Sequence, residues 1–155
     1  MLAAPSETAF NYSAGYHFIN MPKKLTELTL LGLDSQHHIS FSDIHYHGHG
    51  TYSCVLTVHS NGFSCEKAFD FDNDEYFLAK LKAVLADKSG DAELMALQSD
   101  NYLKIQAFDA DALLVTGLIL EEQPLTQSLE FAFITHYEMI ERFVSEVNRM
   151  VRSNT

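Results

Sequence analysis

The sequence predicts an α+β fold in which antiparallel sheet carries two helices, in the order ββββ-α-ββββ-α. Three observations lead there. Most apolar residues fall into short alternating runs, the period of a half-buried strand. Two stretches, after Asp72 and after Thr135, switch to helical spacing. Short turn signals separate most of the runs, so neighbouring strands are antiparallel and the helices pack on their apolar faces. With 155 residues, the chain has the length of one domain and can bury a sizeable core. Residues 1–20 read as a loosely attached arm, with Met21 a plausible natural start, and residues 21–155 as the single domain.

The first strand falls in "LTELTLLGL", residues 25–33. The second, "HISFSDIHY" at 38–46, has a phase fault. Ile39 and Phe41 share one phase while Ile44 and Tyr46 take the other, which a one-residue bulge near Asp43 would reconcile. "HGHG" at 47–50 reads as a turn. "TYSCVLTVHS" and "FSCEKAFDFD" then flank Asn61-Gly62, the pair suited to a two-residue hairpin turn because both positions need positive φ. That loop sets the register: Ser60 faces Phe63, Val58 faces Cys65, Leu56 faces Lys67 and Cys54 faces Phe69. Cys54 and Cys65 therefore share a face but stand roughly 13 Å apart along the ribbon. A disulfide needs Cα atoms within about 7 Å, so two reduced, largely buried thiols are expected.

Asp72 or Asn73 is placed to cap the first helix, with Asp74 and Glu75 in its first turn. Phe77, Leu78, Leu81, Val84 and Leu85 form its apolar stripe, and Gly90 is expected to close it. Strands follow at about 92–98, 102–109 and 112–121. "ALLVTGLIL" is apolar in both phases, which marks a central strand. "SLEFAFIT" turns Leu129, Phe131 and Phe133 inward. "THYE" at 135–138 has the spacing of a capping box, and Ile140, Phe143, Val144, Val147 and Val151 line one face of the last helix.

Charge restricts the partners. Twenty-one acids against ten bases give a formal net charge of −11, with 17 of the acids from Glu66 onward. Such a surface repels phosphate backbones and disfavours nucleic-acid binding. It suits a basic protein partner, with Glu66, Asp70, Asp72, Asp74, Glu75, Asp109 and Asp111 as the candidate contact surface. No segment has the pattern of a signal peptide or the length of a membrane span, so a cytoplasmic protein is expected.

Two clusters invite a metal reading. His45, His47 and His49 lie on alternate residues. Strand neighbours two apart stand about 6–7 Å from each other, close enough for two imidazoles to share a zinc ion. His17, His37, His38, His59 or Asp43 could add a ligand, which would make this a metal-binding protein or a metal-dependent enzyme. The competing reading is a solvated hairpin tip. "DFDNDE" starts like a calcium loop at Asp70, Asp72 and Asp74. It then fails, with Glu75 where the loop needs glycine and Leu81 where it needs its bidentate acid. Nucleophile, phosphate-loop and dinucleotide motifs are absent from the sequence.

Three segments, "GFSCEKAFDFDNDEYFLAKLKAVL", "YLKIQAFDADALLVTGLIL" and "SLEFAFITHYEMIERFVSEV", follow a strand into a helix, through further strands, and into an acid-capped terminal helix. Over residues 62–152 this order resembles small bacterial immunity-type proteins, the WapI-type family and its relatives, which accompany secreted toxins. The chain departs from that group in having no tryptophan. The resemblance implies a binding protein rather than an enzyme, one that neutralises a basic toxin by covering its active cleft. A third possibility open to the sequence is a homo-oligomer built by self-pairing of an exposed edge strand.

Overall fold

The structure is a computed structural model that describes residues 26–34, 36–122 and 124–154. The expected arm at 1–20, with His17, lies outside the described residues. Four strands, β1 (Leu28–Leu31), β2 (His37–Gly48), β3 (Thr51–Ser60) and β4 (Phe63–Phe71), form one antiparallel sheet in sequence order. Helix α1 (Asp74–Asp87) follows. Strands β5 (Asp91–Met95), β6 (Tyr102–Ala107), β7 (Ala112–Glu121) and β8 (Gln127–His136) form the second sheet, again in sequence order, and α2 (Tyr137–Ser153) ends the chain. This is the ββββ-α-ββββ-α architecture, two antiparallel sheets with two helices. Among the described residues no helix is long and apolar enough to cross a membrane.

The β3–β4 register is the one that the Asn61-Gly62 turn dictates, with Ser60 opposite Phe63 and Cys54 opposite Phe69. Both turn residues have positive φ, 56° and 85°. The bulge in β2 is also present. Asp43 and Ile44 together oppose one residue of β3, since Ser42 pairs with Val55 and His45 with Ser53. Asp43 takes φ 53°, and the insertion turns Ile44 into the core beside Ile39 and Phe41.

Both sheets bury one face against the helices. Phe41, Phe69, Phe71 and Phe143 form an aromatic centre, with ring centroids 6.1–6.3 Å apart. Gly117 in β7 is opposite Phe131, whose ring fills the space a side chain would need. The sheets meet at two seams. At one, Phe71 bridges Ala96 and the Leu97 N–H donates to the Asp70 carbonyl at 2.7 Å. At the other, the Leu33 N–H donates to the Ile134 carbonyl at 3.1 Å, and the Thr135 hydroxyl donates to the Leu31 carbonyl at 2.6 Å. Glu146 of α2 also accepts from the Thr29 N–H at 3.1 Å. The outer edge of β1 is thus covered by side chains and backbone of the other half.

Three local expectations need correction. Thr135 does not cap α2: its hydroxyl is spent on the seam, and His136 occupies the N-cap position with no side-chain bond. Asn73 occupies the N-cap position of α1, in a left-handed conformation, but makes no side-chain cap bond; the Asp74 carboxylate accepts from the Glu75 N–H instead. Lys88, also left-handed, rather than Gly90 terminates that helix.

Candidate functional site

The candidate site is a cleft of roughly 330 Å³ between the start of α1 and β5. One wall is Tyr76 and Lys80, one turn apart on α1, with the N-cap residue Asn73. Asp72 precedes it. The other wall is Asp91, Glu93, Leu94 and Met95. The local sequence explains the arrangement. Phe77, Leu78 and Leu81 take α1 into the core, which leaves Tyr76 on the solvent side, 65% exposed. Ala92 and Leu94 point β5 inward, so Glu93 and Met95 fall in the outward phase, with Met95 47% exposed.

Three carboxylates against one lysine make the cleft acidic. Asp91 is partly neutralised by Lys104 across the strand pair, at 3.8 Å. The arrangement suits cationic side chains at its rim and an apolar contact on Tyr76 and Met95, both residue types enriched at interface centres. Asp91, Glu93, Tyr76 and Met95 are absent from the candidates drawn from the sequence. Their signal was present in it, as large or charged residues out of phase with the buried stripe.

Of the seven acids proposed as a contact surface, only Asp72 lines this cleft. Glu66, Asp70 and Glu75 are exposed. Asp70 lines a second cleft of roughly 280 Å³ with Lys67, Glu121 and Glu122, where Lys67 and Glu121 form an ion pair. Asp109 and Asp111 are exposed in the β6–β7 turn, where the Asp109 carboxylate accepts from the Asp111 N–H. Asp111 shares a cleft with Lys88, beyond the far end of α1. The two ends of that 14-residue helix are about 20 Å apart. The acids therefore do not form one patch. Asp74 is corrected outright: it is 6% exposed and accepts from the Tyr52 hydroxyl at 2.6 Å. It belongs to the core.

The histidines at 45 and 47 share the outer face of the first sheet but have separate partners. His45 Nε2 lies 3.0 Å from Asp43 Oδ1, and His47 Nε2 lies 2.7 Å from the Ser53 hydroxyl. His49 sits in the β2–β3 turn with φ 56°. Among the described residues no three His, Cys, Asp or Glu side chains are grouped to hold a metal ion. Elsewhere on this face His38 and His59 stack across the strands, centroids 4.3 Å apart.

Both thiols are free. Burial, and then Asp70, pushes the Cys54 thiol up to about 12, and its sulfur donates to the Phe69 carbonyl. Burial also raises Cys65, which is only half-buried rather than interior. Neither is a thiolate at neutral pH, so neither is poised as a nucleophile. No protein-family model, no curated protein and no solved structure matches this chain.

Proposed function

We propose that this chain is a non-enzymatic, cytoplasmic protein-binding domain of immunity type, and that its ligand is a basic protein such as a secreted toxin. The observation that supports this reading is the cleft itself: exposed Tyr76 and Met95 set among Asp72, Asp91 and Glu93. Aromatic and methionine contacts supply the apolar centre of an interface, and rim charges select partners and speed encounter. The formal charge of −11 adds a long-range attraction for a cationic partner that weakens with salt.

The test is comparative capture. Wild type, Tyr76→Ala and the double variant Asp72→Lys/Glu93→Lys are immobilised against extracts and secreted fractions of the source cells. A basic protein held by wild type and lost by both variants, then shown to be inhibited by the purified wild type, supports the reading. A partner bound equally by all three, or one that wild type binds without inhibiting, overturns it.

A further inference from the structure

We propose that the cleft binds its partner by strand addition, taking an extended segment with alternating basic and apolar residues onto the free edge of β5. This rests on the protein-binding reading above and adds the form of the ligand.

The backbone bonds around β5 show which groups face the cleft. The Ala96 N–H donates to the Asn101 carbonyl, and the Ala107 N–H to the Gly90 carbonyl. Both bonds belong to the ladder that pairs Asp91 with Gln106 and Met95 with Tyr102. In an antiparallel ladder, alternate residues turn both N–H and C=O toward one neighbour. Gly90, Ala92, Leu94 and Ala96 therefore face β6, while Asp91, Glu93 and Met95 face away. Leu97 continues this alternation, since its N–H reaches outward to the Asp70 carbonyl of β4. Beyond the single bridge between Phe71 and Ala96, β4 gives way to α1, and β5 is the edge of its sheet. Among the described residues, what lies alongside it there is the cleft, not a strand.

An unpaired edge bordered by side-chain contacts is the requirement for strand addition, in which backbone bonds supply affinity and alternate side chains supply choice. An incoming strand would set every second side chain beside Asp91 and Glu93 on the outer face, where Lys or Arg is favoured. Its intervening side chains would turn toward Tyr76 on α1. A second copy is a poor occupant, because antiparallel pairing of β5 with itself brings Asp91 and Glu93 against like charges.

The probe is an acetylated, amidated octapeptide of alternating lysine and valine, titrated into the purified protein by calorimetry and amide NMR. Two further forms carry N-methyl groups on one or the other set of alternate amides, which keeps charge and composition nearly constant. Saturable binding of the parent peptide is expected, with exchange protection at the amides of Asp91 and Glu93. One N-methylated form should bind at least about tenfold more weakly than the other, the equivalent of losing a backbone hydrogen bond. Glu93→Pro removes only an outward N–H, which an edge strand tolerates. It should weaken binding at least tenfold, while Glu93→Gln weakens it only a few-fold. Equal binding of both methylated forms would overturn strand addition and leave an electrostatic protein-binding cleft standing. No binding of the parent peptide at millimolar concentration also overturns the proposal. A dimer of wild type that Glu93→Pro dissolves assigns the edge to a second copy and overturns it as well.

Discussion

The Tyr52 hydroxyl donates to the Asp74 carboxylate at 2.6 Å, joining the turn end of β3 to the first residue of α1 inside the core. Burial first, and the Asp74 carboxylate second, hold the Tyr52 phenol well above the ordinary tyrosine range. A Cβ at Gly50 would stand 3.3 Å from Asp74 Oδ1, so the β2–β3 turn passes close to this pair. Tyr52→Phe keeps the ring stacked on Phe71 but removes the donor from a buried carboxylate. A loss of about 2–3 kcal/mol is expected, read from the urea midpoint. A loss below about 0.5 kcal/mol would show that the Glu75 N–H, its other donor, is enough to hold the carboxylate in place.

Gly117→Ala tests the packing of the second sheet. A Cβ there would stand 2.3 Å from the Phe131 ring and 2.7 Å from the Tyr102 carbonyl. The backbone atom cannot swing aside as a flexible side chain would. A destabilisation of about 1–3 kcal/mol is expected from overpacking, and the double variant Gly117→Ala/Phe131→Leu should recover part of it in thermal melts.

The stacked pair His38–His59 is expected to make stability depend on pH. Burial first, and the neighbouring His59 second, lower the affinity of His38 for a proton. The unfolded chain then binds the proton more readily than the folded one. The contribution is complete above about pH 6.5, the unfolded value, and is lost as pH falls through it. Melting temperature should drop between pH 7 and pH 5, and less steeply in His59→Gln. An equal slope in that variant would assign the acid sensitivity to other groups.

The thiols give a second, opposite pH dependence. Cys54 is held up to about 12, so the unfolded chain releases its proton first as pH rises above about 9. Stability from this group is present below that range and declines above it. In native protein at pH 8, a thiol reagent should label Cys65 well before Cys54, and Cys54 only as the chain opens. Rapid labelling of both would contradict the burial of Cys54.

Zinc content decides between the two readings of "HYHGH". With His45 turned to Asp43 and His47 to Ser53, purified protein incubated with zinc and desalted is expected to retain no stoichiometric metal. Retained zinc that His47→Ala abolishes would restore the metal-dependent alternative.

What could be read from the sequence was local. The Asn61-Gly62 turn and the alternation around it determine a register, because a two-residue loop leaves one pairing and a one-residue slip would turn every apolar side chain outward. The bulge at Asp43 was legible for the same reason: the apolar phase had to change. Thr135 misled, because a capping box has the same residues whether or not the hydroxyl is free, and Leu31, which takes it, is remote in sequence. Asp74 misled in the same way. Nothing in "DFDND" distinguishes a solvated acid from one that meets a phenol 22 residues away. The cleft depends on β5 lying beside α1, a contact between elements that neither pattern encodes.

The two seams make each half of the chain incomplete. Residues 26–34 and 36–88 form four strands and a helix, but the edge of β1 is closed by Ile134, Thr135 and Glu146, and the end of β4 by Ala96 and Leu97. In the second half, the Ile134 carbonyl loses its donor, the Leu33 N–H, and the Leu97 N–H loses its acceptor, the Asp70 carbonyl, when the first is absent. Separate halves would expose edges that invite aggregation, and together they would reassemble as complementary fragments. The intact chain should therefore melt in one cooperative transition, because neither four-stranded unit has a closed state of its own.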